Sequence, residues 1–505
     1  MDPAFFLGAI CGALLCFVLR AFPRIGRPLI GHDTWADLLV VDELKKGHGY
    51  NGVCKYFLIE GDHDYPPLLF YFLSMFPSSW LERYNWVINP ILDSLNSVVL
   101  FSVTYALGQS TMIALVAAII YSITPAVLQE SLNFNTRIFG LVAFNLAMSS
   151  LVLHFHSGQS VYLACVIAFG IVVLLSHKFA TQVLFLLLVS YAILLRSYVP
   201  LMALSATIIG AIVVSRGFYV KVFLGHIGIM RFWLRHYKEY GLDYTAKLLS
   251  KSEEGILNRD GPKDIHERSI RSLWHKTRIV NPLYWLVRIC PFNPFGLVPV
   301  LILLFVPFQI PGQRVVLYWS VLTLAFFYVA TYVRFLGHHV GSRQFLDYNA
   351  FPSAFLCGVF LLESLSPLRL LLILVVVVLS LVQNTRAWTR VRLYNRSDDQ
   401  SLLLNIFAHL RSSNKDGVLC LPASHTFAIP YFSGKKVFYT MSARNYEKLA
   451  AFFPVLSVPL DTLIKEYNIN FVLVDTTIVP VSVIDQSTFK PIIDENGYVL
   501  FEKFS

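Results

Sequence analysis

Apolar residues in this chain fall in long runs separated by polar stretches of very unequal length. The runs are Phe5–Leu19, Trp86–Leu107, Met112–Leu128, Ile138–Leu153, Val161–Leu175, Phe179–Leu195, Pro200–Val214, Phe295–Phe308, Val315–Val333, Phe345–Leu362 and Leu368–Val382. Each is close to the length a helix needs to cross the hydrocarbon layer, so the pattern predicts an α-helical polytopic membrane protein with about 11 transmembrane helices. A twelfth stretch, Pro66–Phe76, reads either as a further span or as a turn behind Pro66-Pro67. From about Ser397 the period changes. "DDQSLLLNIFAHLRSS" reads as a helix with an acidic start and a basic end, "GVLCLP" and "KKVFYT" as strands, "LDTLIKEY" as a helix, "INFVLVD" as a buried strand and "GYVLFEKF" as an alternating one. The expected organisation is a membrane domain over 1–390, with external loops at 20–84 and 215–294, and a small C-terminal α/β domain over 391–505.

Spans cross once each, so loops alternate between faces. On this count one face receives Arg20–Tyr84, Gln129–Thr136, Ser176–Lys178, Ser215–Pro294, Arg334–Gln344 and everything after Gln383, while the other receives only short turns. One face therefore carries the chemistry. Its sidedness is not given by charge: Arg20, Arg24 and Arg27 argue for the cytoplasm, yet the segment 216–288, with 14 Lys or Arg against 7 Asp or Glu, is too long for the positive-inside rule to apply. Part of that segment, "YVKVFLGHIGIMRFWLRHYKEYGLDYTAKLL", has the aromatic and basic mixture of helices that lie in the headgroup layer.

Composition narrows the function further. With 56% hydrophobic and 14% charged residues and a mean hydropathy of +0.59, the 505-residue chain is too apolar for a soluble enzyme. The net charge of +10 comes without a soluble recognition fold, which excludes nucleic acid and leaves contact with lipid phosphates. The first run has neither a preceding basic residue nor a following small-residue cleavage site, and reads as a retained anchor. The seven cysteines form no close-spaced pair, and no glycine-rich phosphate loop follows a tail strand.

Four polar constellations lie on the favoured face. In "GHDTWADLLVVDELKKGHGY", Asp33 and Asp37 are spaced to share a helix face with Val41, next to Trp35 at the interface. Such a carboxylate can take a proton from a hydroxyl or bind a cation; the same residues also suit an N-cap followed by a solvated amphipathic helix. "EGDHDYPPLLFYFL" adds Asp64 ahead of a proline-started helix. "QESLNFNTRIFG" supplies Glu130 and Arg137, and "SHKF" supplies His177 and Lys178, groups that line an anion cavity or snorkel to headgroups. "RFLGHHVGSRQFLDYNAFP" carries His338, His339, Arg343, Asp347 and Tyr348. Adjacent histidines diverge and make a poor metal pair, whereas the planar fork of Arg343 suits a phosphate.

Together, "GHDTWADL", "DYPPLLFYFL", "SHKFATQ" and "SRQFLDYNAFP" resemble the GT-C superfamily of integral-membrane glycosyltransferases, nearest to bacterial or archaeal relatives of the protein-mannosyltransferase and aminoarabinose-transferase group. The resemblance implies a polyprenyl-phosphate sugar donor and a glycan, lipid or protein acceptor. It implies inverting single displacement, Asp33 as base with Asp37 in reserve, and His177, Lys178, Arg343 and Arg137 on the donor phosphate. Glu130, His338, Tyr348 and Asp64 are further candidates. It puts the working face in the periplasm or outside the cell, fixes no cofactor and leaves room for a divalent cation. The chain departs from the pattern in having no WWD sequence and in carrying Asp33 and Asp37 where the mannosyltransferases have adjacent Asp-Glu. A lipid-linked-sugar transporter or flippase would call for inverted repeats that the pattern lacks. A polysaccharide polymerase or ligase would leave the terminal α/β domain unexplained, and a non-catalytic assembly subunit would leave the membrane carboxylates without chemistry.

Overall fold

A computed structural model describes residues 3–31, 33–59, 61–131, 133–235, 289, 292–297, 299, 311–332, 343–363, 367–389, 399–421, 425–438, 460–477 and 479–504. The helices are α1 Pro3–Ala21, α2 Asp33–Lys45, α3 Leu68–Leu73, α4 Ser78–Gly108, α5 Thr111–Ser122, α6 Pro125–Ser131, α7 Thr136–Ser157, α8 Ser160–Leu174, α9 Lys178–Leu194, α10 Val199–Val214 and α11 Phe218–Arg235. They continue with α12 Pro311–Tyr332, α13 Gln344–Glu363, α14 Pro367–Thr389, α15 Leu404–Ser412, α16 Ala428–Ser433 and α17 Leu460–Glu466. Two compact units result: one from Met1–Pro28, Tyr65–His226 and Tyr284–Asn395, the other from the described parts of Leu29–Asp64, Ile227–Leu283 and Arg396–Ser505.

The first unit is the integral-membrane helical body. Ten of the expected apolar runs are helices, while Phe295–Phe308 lies mostly outside the described residues. The expected eleven spans are not reproduced. Among the described residues four helices are long and apolar enough to cross a membrane, Pro3–Arg24, Ser78–Gly108, Thr136–Ser157 and Gly312–Ala330, and the number is six if two bent pairs each count once. Pro66–Phe76 is not a further span: its helix, α3, has six residues and extends only about 9 Å.

Packing in this unit follows from small residues and from the partners of buried polar ones. Along α1, Gly8, Gly12, Cys16 and Arg20 recur every fourth position and are buried, whereas Leu7, Leu14 and Val18 are exposed. A β-carbon on Gly8 would stand 2.8 Å from the Phe101 ring, and one on Gly12 2.9 Å from the Ala118 β-carbon, so both glycines allow α1 to approach its neighbours. Arg20 and Arg24, expected as loop charges, are instead buried and bonded. Arg20 Nε donates to Asp93 at 2.6 Å, and Arg24 Nη2 donates to Asn85 at 2.7 Å. Asp93 also accepts from the Tyr121 hydroxyl at 2.6 Å and from Asn96 Nδ2 at 3.3 Å. Arg20 and Asp93 have their polar atoms matched in full, as complete burial requires, and this ties α1, α4 and α5 together.

The run Met112–Leu128 breaks at Pro125, and α6 leaves α5 at 56°. A broken span frees carbonyls that need donors. Arg20 Nη2 and Nη1 reach the Tyr121 and Ser122 carbonyls at 3.2 and 2.8 Å, and Asn384 Nδ2 reaches that of Ile123 at 2.9 Å. The bend aims α6, with Glu130 near its end, along a new direction. A second pair, Val199–Val214 and Phe218–Phe232, bends by 117°.

In the second unit, β1 Val418–Leu421, β2 Phe471–Asp475, β3 Phe489–Glu495 and β4 Tyr498–Lys503 form one sheet in the order β1-β2-β4-β3. Strands β1 and β2 are parallel, and β4 is antiparallel to both its neighbours. Leu419, Val472, Val474, Val499 and Phe501 share a core with Ile59, Leu463 and Phe489. β3 escapes the sequence reading, although Asn496-Gly497, with φ of 52° and 72°, is the two-residue turn that its hairpin with β4 demands. "KKVFYT" supplies no strand among its described residues; Val437 makes isolated bridges to Phe57 and Val418. These bridges, with one between Ile30 and Asp399, stitch the polar segment Leu29–Asp64 to the tail, with which it clusters.

Candidate functional site

Six of the residues singled out from sequence, Glu130, Arg137, His177, Arg343, Asp347 and Tyr348, converge in the helical unit. Glu130 comes from α6. Arg137 stands in the first turn of α7, whose cap Asn135 accepts from its backbone N–H at 3.0 Å. His177 caps α9, Arg343 precedes α13, and Tyr348 faces in from that helix's first turns. Glu130 Oε2 accepts from Arg137 Nη1 at 2.8 Å, and its Oε1 stands 3.8 Å from Arg343 Nη2. A space of about 240 Å³ opens beside them, lined by Glu130, Arg137, His177, Asp347 and Tyr348 with Ile138, Leu141, Phe179 and Gln344. The guanidiniums are about two-fifths exposed, while Asp347 and Tyr348 are buried.

His177 is not a cation here. Burial, reinforced by Arg137, His226 and Lys178, pushes its imidazole down to about 3. Its Nδ1 accepts the Ala180 amide at 3.3 Å, which leaves Nε2 as the N–H. The ring is thus a neutral hydrogen-bond donor whose orientation α9 fixes. Gly140 of α7 makes room for it, since a β-carbon there would be 2.5 Å from that of His177. Lys178 lies 5.7 Å from the Tyr65 ring, and the Tyr65 hydroxyl is 2.9 Å from Thr136 Oγ1. The Arg343 guanidinium lies over Phe292 with its Cζ 4.6 Å from the ring centre, a cation–π contact. Asp347 carries an oxygen, Oδ1, with no hydrogen-bond partner among the described residues. Two guanidinium cations gathered against the Glu130 carboxylate are donors of the kind that bind an anion.

The remaining expected residues lie elsewhere. Asp33 and Asp37 are half-buried on α2 in the second unit, and Asp64 is buried there. Trp35 does not mark a membrane interface. It is 1% exposed, packed against Tyr431 and Phe432 with ring centres 5.2 and 4.6 Å away. His338 lies outside the described residues. The sequence reading also missed Glu43, a side chain sealed from solvent and bonded to Lys46, Lys55, His48 and Tyr56 at 3.0, 2.6, 2.7 and 2.9 Å. Burial alone would raise its carboxyl, but these four hydrogen bonds bring it down to about 2. The signal was present as a carboxylate among "DELKKGHGYNGVCKY", but the partners are specified by the fold around Gly52. Among the described residues no three His, Cys, Asp or Glu side chains gather as ligands for a metal ion.

No family model matches the chain, and no curated protein matches it in sequence. Solved structures do match in three dimensions. The archaeal oligosaccharyltransferase AglB from Archaeoglobus fulgidus, in complex with an inhibitory peptide and a dolichol-phosphate, is 12% identical with a TM-score of 0.60, over 93% of this chain and 69% of that one. The Archaeoglobus fulgidus oligosaccharyltransferase in complex with Zn and sulfate gives 12% and 0.59, over 93% and 68%. ArnT from Cupriavidus metallidurans, bound to undecaprenyl phosphate, gives 11% and 0.49, over 99% and 98%. What is shared at 12% identity is the fold, and this chain has the GT-C-like fold that its loop pattern resembles.

Proposed function

We propose that this protein is a membrane glycosyltransferase that moves a sugar from a polyprenyl-phosphate donor to a hydroxyl acceptor, with inversion, on the periplasmic or extracellular face. The observation that carries the reading is that Arg137 and His177 line one pocket in a GT-C-like helical body, with Arg343 drawn to its edge through Glu130, 3.8 Å away. The lipid-phosphate ligands of the solved neighbours belong to those proteins and support the reading by likeness of fold.

In the proposed step the acceptor oxygen bonds to the anomeric carbon as the bond from that carbon to the phosphate oxygen breaks. The electron pair goes to the phosphate, where Arg137, Arg343 and Lys178 offset the charge and His177 donates a hydrogen bond. The acceptor proton passes to a carboxylate base, the role that the resemblance to the GT-C families gives to Asp33 with Asp37 in reserve. No step is routed through a metal.

The test incubates the purified protein in lipid nanodiscs with a panel of radiolabelled polyprenyl-phosphate sugars and a membrane extract that supplies acceptors. Label leaving the lipid for an acceptor is the expected result. Label that stays on the lipid throughout the panel overturns the transferase reading, and label that crosses sealed vesicles still on its lipid identifies a carrier instead.

A further inference from the structure

Glu130 poses a problem for any anion site built from Arg137 and Arg343. Its carboxylate gives one oxygen to each guanidinium, at 2.8 Å to Arg137 and 3.8 Å to Arg343, so it occupies the bridging place that two phosphate oxygens would take. It is about nine-tenths buried and lines the pocket rather than pointing to solvent. A site evolved only for tight phosphate binding gains nothing from such a group, because like charges at this range repel and the bridging place is already filled.

The charge of the two lipid phosphates supplies the reason, on the reading that the pocket takes a polyprenyl-phosphate donor. The donor is a phosphodiester with one negative charge. Cleavage of its sugar bond leaves a phosphomonoester, which carries about −1.5 to −2 at neutral pH. Glu130 takes one unit from the positive charge that Arg137, Arg343 and Lys178 supply, and the attraction it cancels scales with the charge on the ligand, so it weighs more heavily on the monoester than on the diester. His177, neutral, adds nothing to this balance.

We infer that Glu130 is a resident anion that makes the site discriminate against the more highly charged lipid monophosphate, favouring entry of the donor and departure of the product. Glu130 is thereby a specificity residue acting on the phosphate through charge, and its removal turns the pocket into a product trap.

The probes are farnesyl phosphate, a monoester, and farnesyl methyl phosphate, a diester, titrated at low salt and pH 8 against the full-length protein in nanodiscs. The unmodified protein is expected to bind the diester at least as tightly as the monoester. Glu130→Gln is expected to tighten the diester about tenfold and the monoester about thirty- to a hundredfold, about one factor of ten per ligand charge. Glu130→Asp keeps the charge and should keep the unmodified ratio. Weaker binding of both ligands by Glu130→Gln, or an unchanged ratio, overturns the inference. A tenfold preference of the unmodified protein for the monoester overturns it as well, without recourse to any variant. The underlying site is tested separately by Arg137→Ala and Arg343→Ala: if neither weakens either ligand, the phosphate binds elsewhere and the donor-site reading falls, whereas weakening by both with no gain in Glu130→Gln leaves that reading standing and removes only the role given to Glu130.

Discussion

An Asp93→Asn substitution keeps the shape of a side chain buried in the helical body and removes only its charge. In the native protein that carboxylate accepts from Arg20 Nε and the Tyr121 hydroxyl, both at 2.6 Å, with Arg20 and Asp93 wholly shielded from solvent. Removing one member of a buried pair costs about 3–5 kcal/mol, because the other charge stays behind without compensation. Arg20 would keep its bonds to the Ser122 and Tyr121 carbonyls, which places the expected loss near the lower end, about 3 kcal/mol. The paired replacement Arg20→Gln with Asp93→Asn leaves no buried charge and keeps an amide donor beside the Tyr121 and Ser122 carbonyls, and it should be more stable than Asp93→Asn alone. Unfolding in mixed micelles by increasing dodecyl sulfate, followed by tryptophan fluorescence, measures all four corners of the cycle. If Asp93→Asn stays within about 0.5 kcal/mol of the native value, or the double variant is as unstable as the single one, the pair is not the lock described here.

Three other outcomes follow from the same geometry. Asp33→Asn should lower sugar transfer by about 10² or more while leaving insertion, melting and lipid-phosphate binding intact, and Asp37→Asn should cost less; near-normal turnover in Asp33→Asn, in the radiolabel assay, dismisses the base assignment. Gly140→Ala puts a β-carbon 2.5 Å from that of His177, and should lower stability by about 1–3 kcal/mol and weaken lipid-phosphate binding, read by melting and titration together. The Glu43 carboxyl, lowered from 4.5 to about 2, contributes stability that is complete above pH 4.5 and disappears as pH falls toward 2. The shift caps this at about 3 kcal/mol. Its lysine partners are about half exposed, so about 1–2 kcal/mol is expected, and Glu43→Gln should flatten the stability profile between those two pH values.

The helical body was legible because apolar runs report their own length, and loop parity put Glu130, Arg137, His177 and Arg343 on one face before any fold was known. What parity could not supply was pairing. Arg20 reads as a loop charge until Asp93, in a different helix, is brought against it, and a sequence offers no local mark of such a partner. Trp35 failed for a related reason: an aromatic beside carboxylates at the edge of an apolar run fits a lipid interface as well as it fits a core, and only Tyr431 and Phe432 decide between them. The hairpin of β3 and β4 was recoverable. "DENGYVLF" carries the turn residues, but the preceding "FKPII" lacks clean alternation and contains a proline, and the register shift between Pro491 and Ile493 shows why.

The contact between Glu130 and Arg343 joins positions 213 residues apart, one in α6 and the other at the entrance to α13. A ribosome adding about 5–20 residues per second needs roughly 10–40 s to make the chain between them. Arg137 and His177 are made early in that interval, and Arg343 only at its end. Under the proposed function, Arg343 is the last cation of the phosphate site to be made, so binding of a lipid phosphate waits for the late helices.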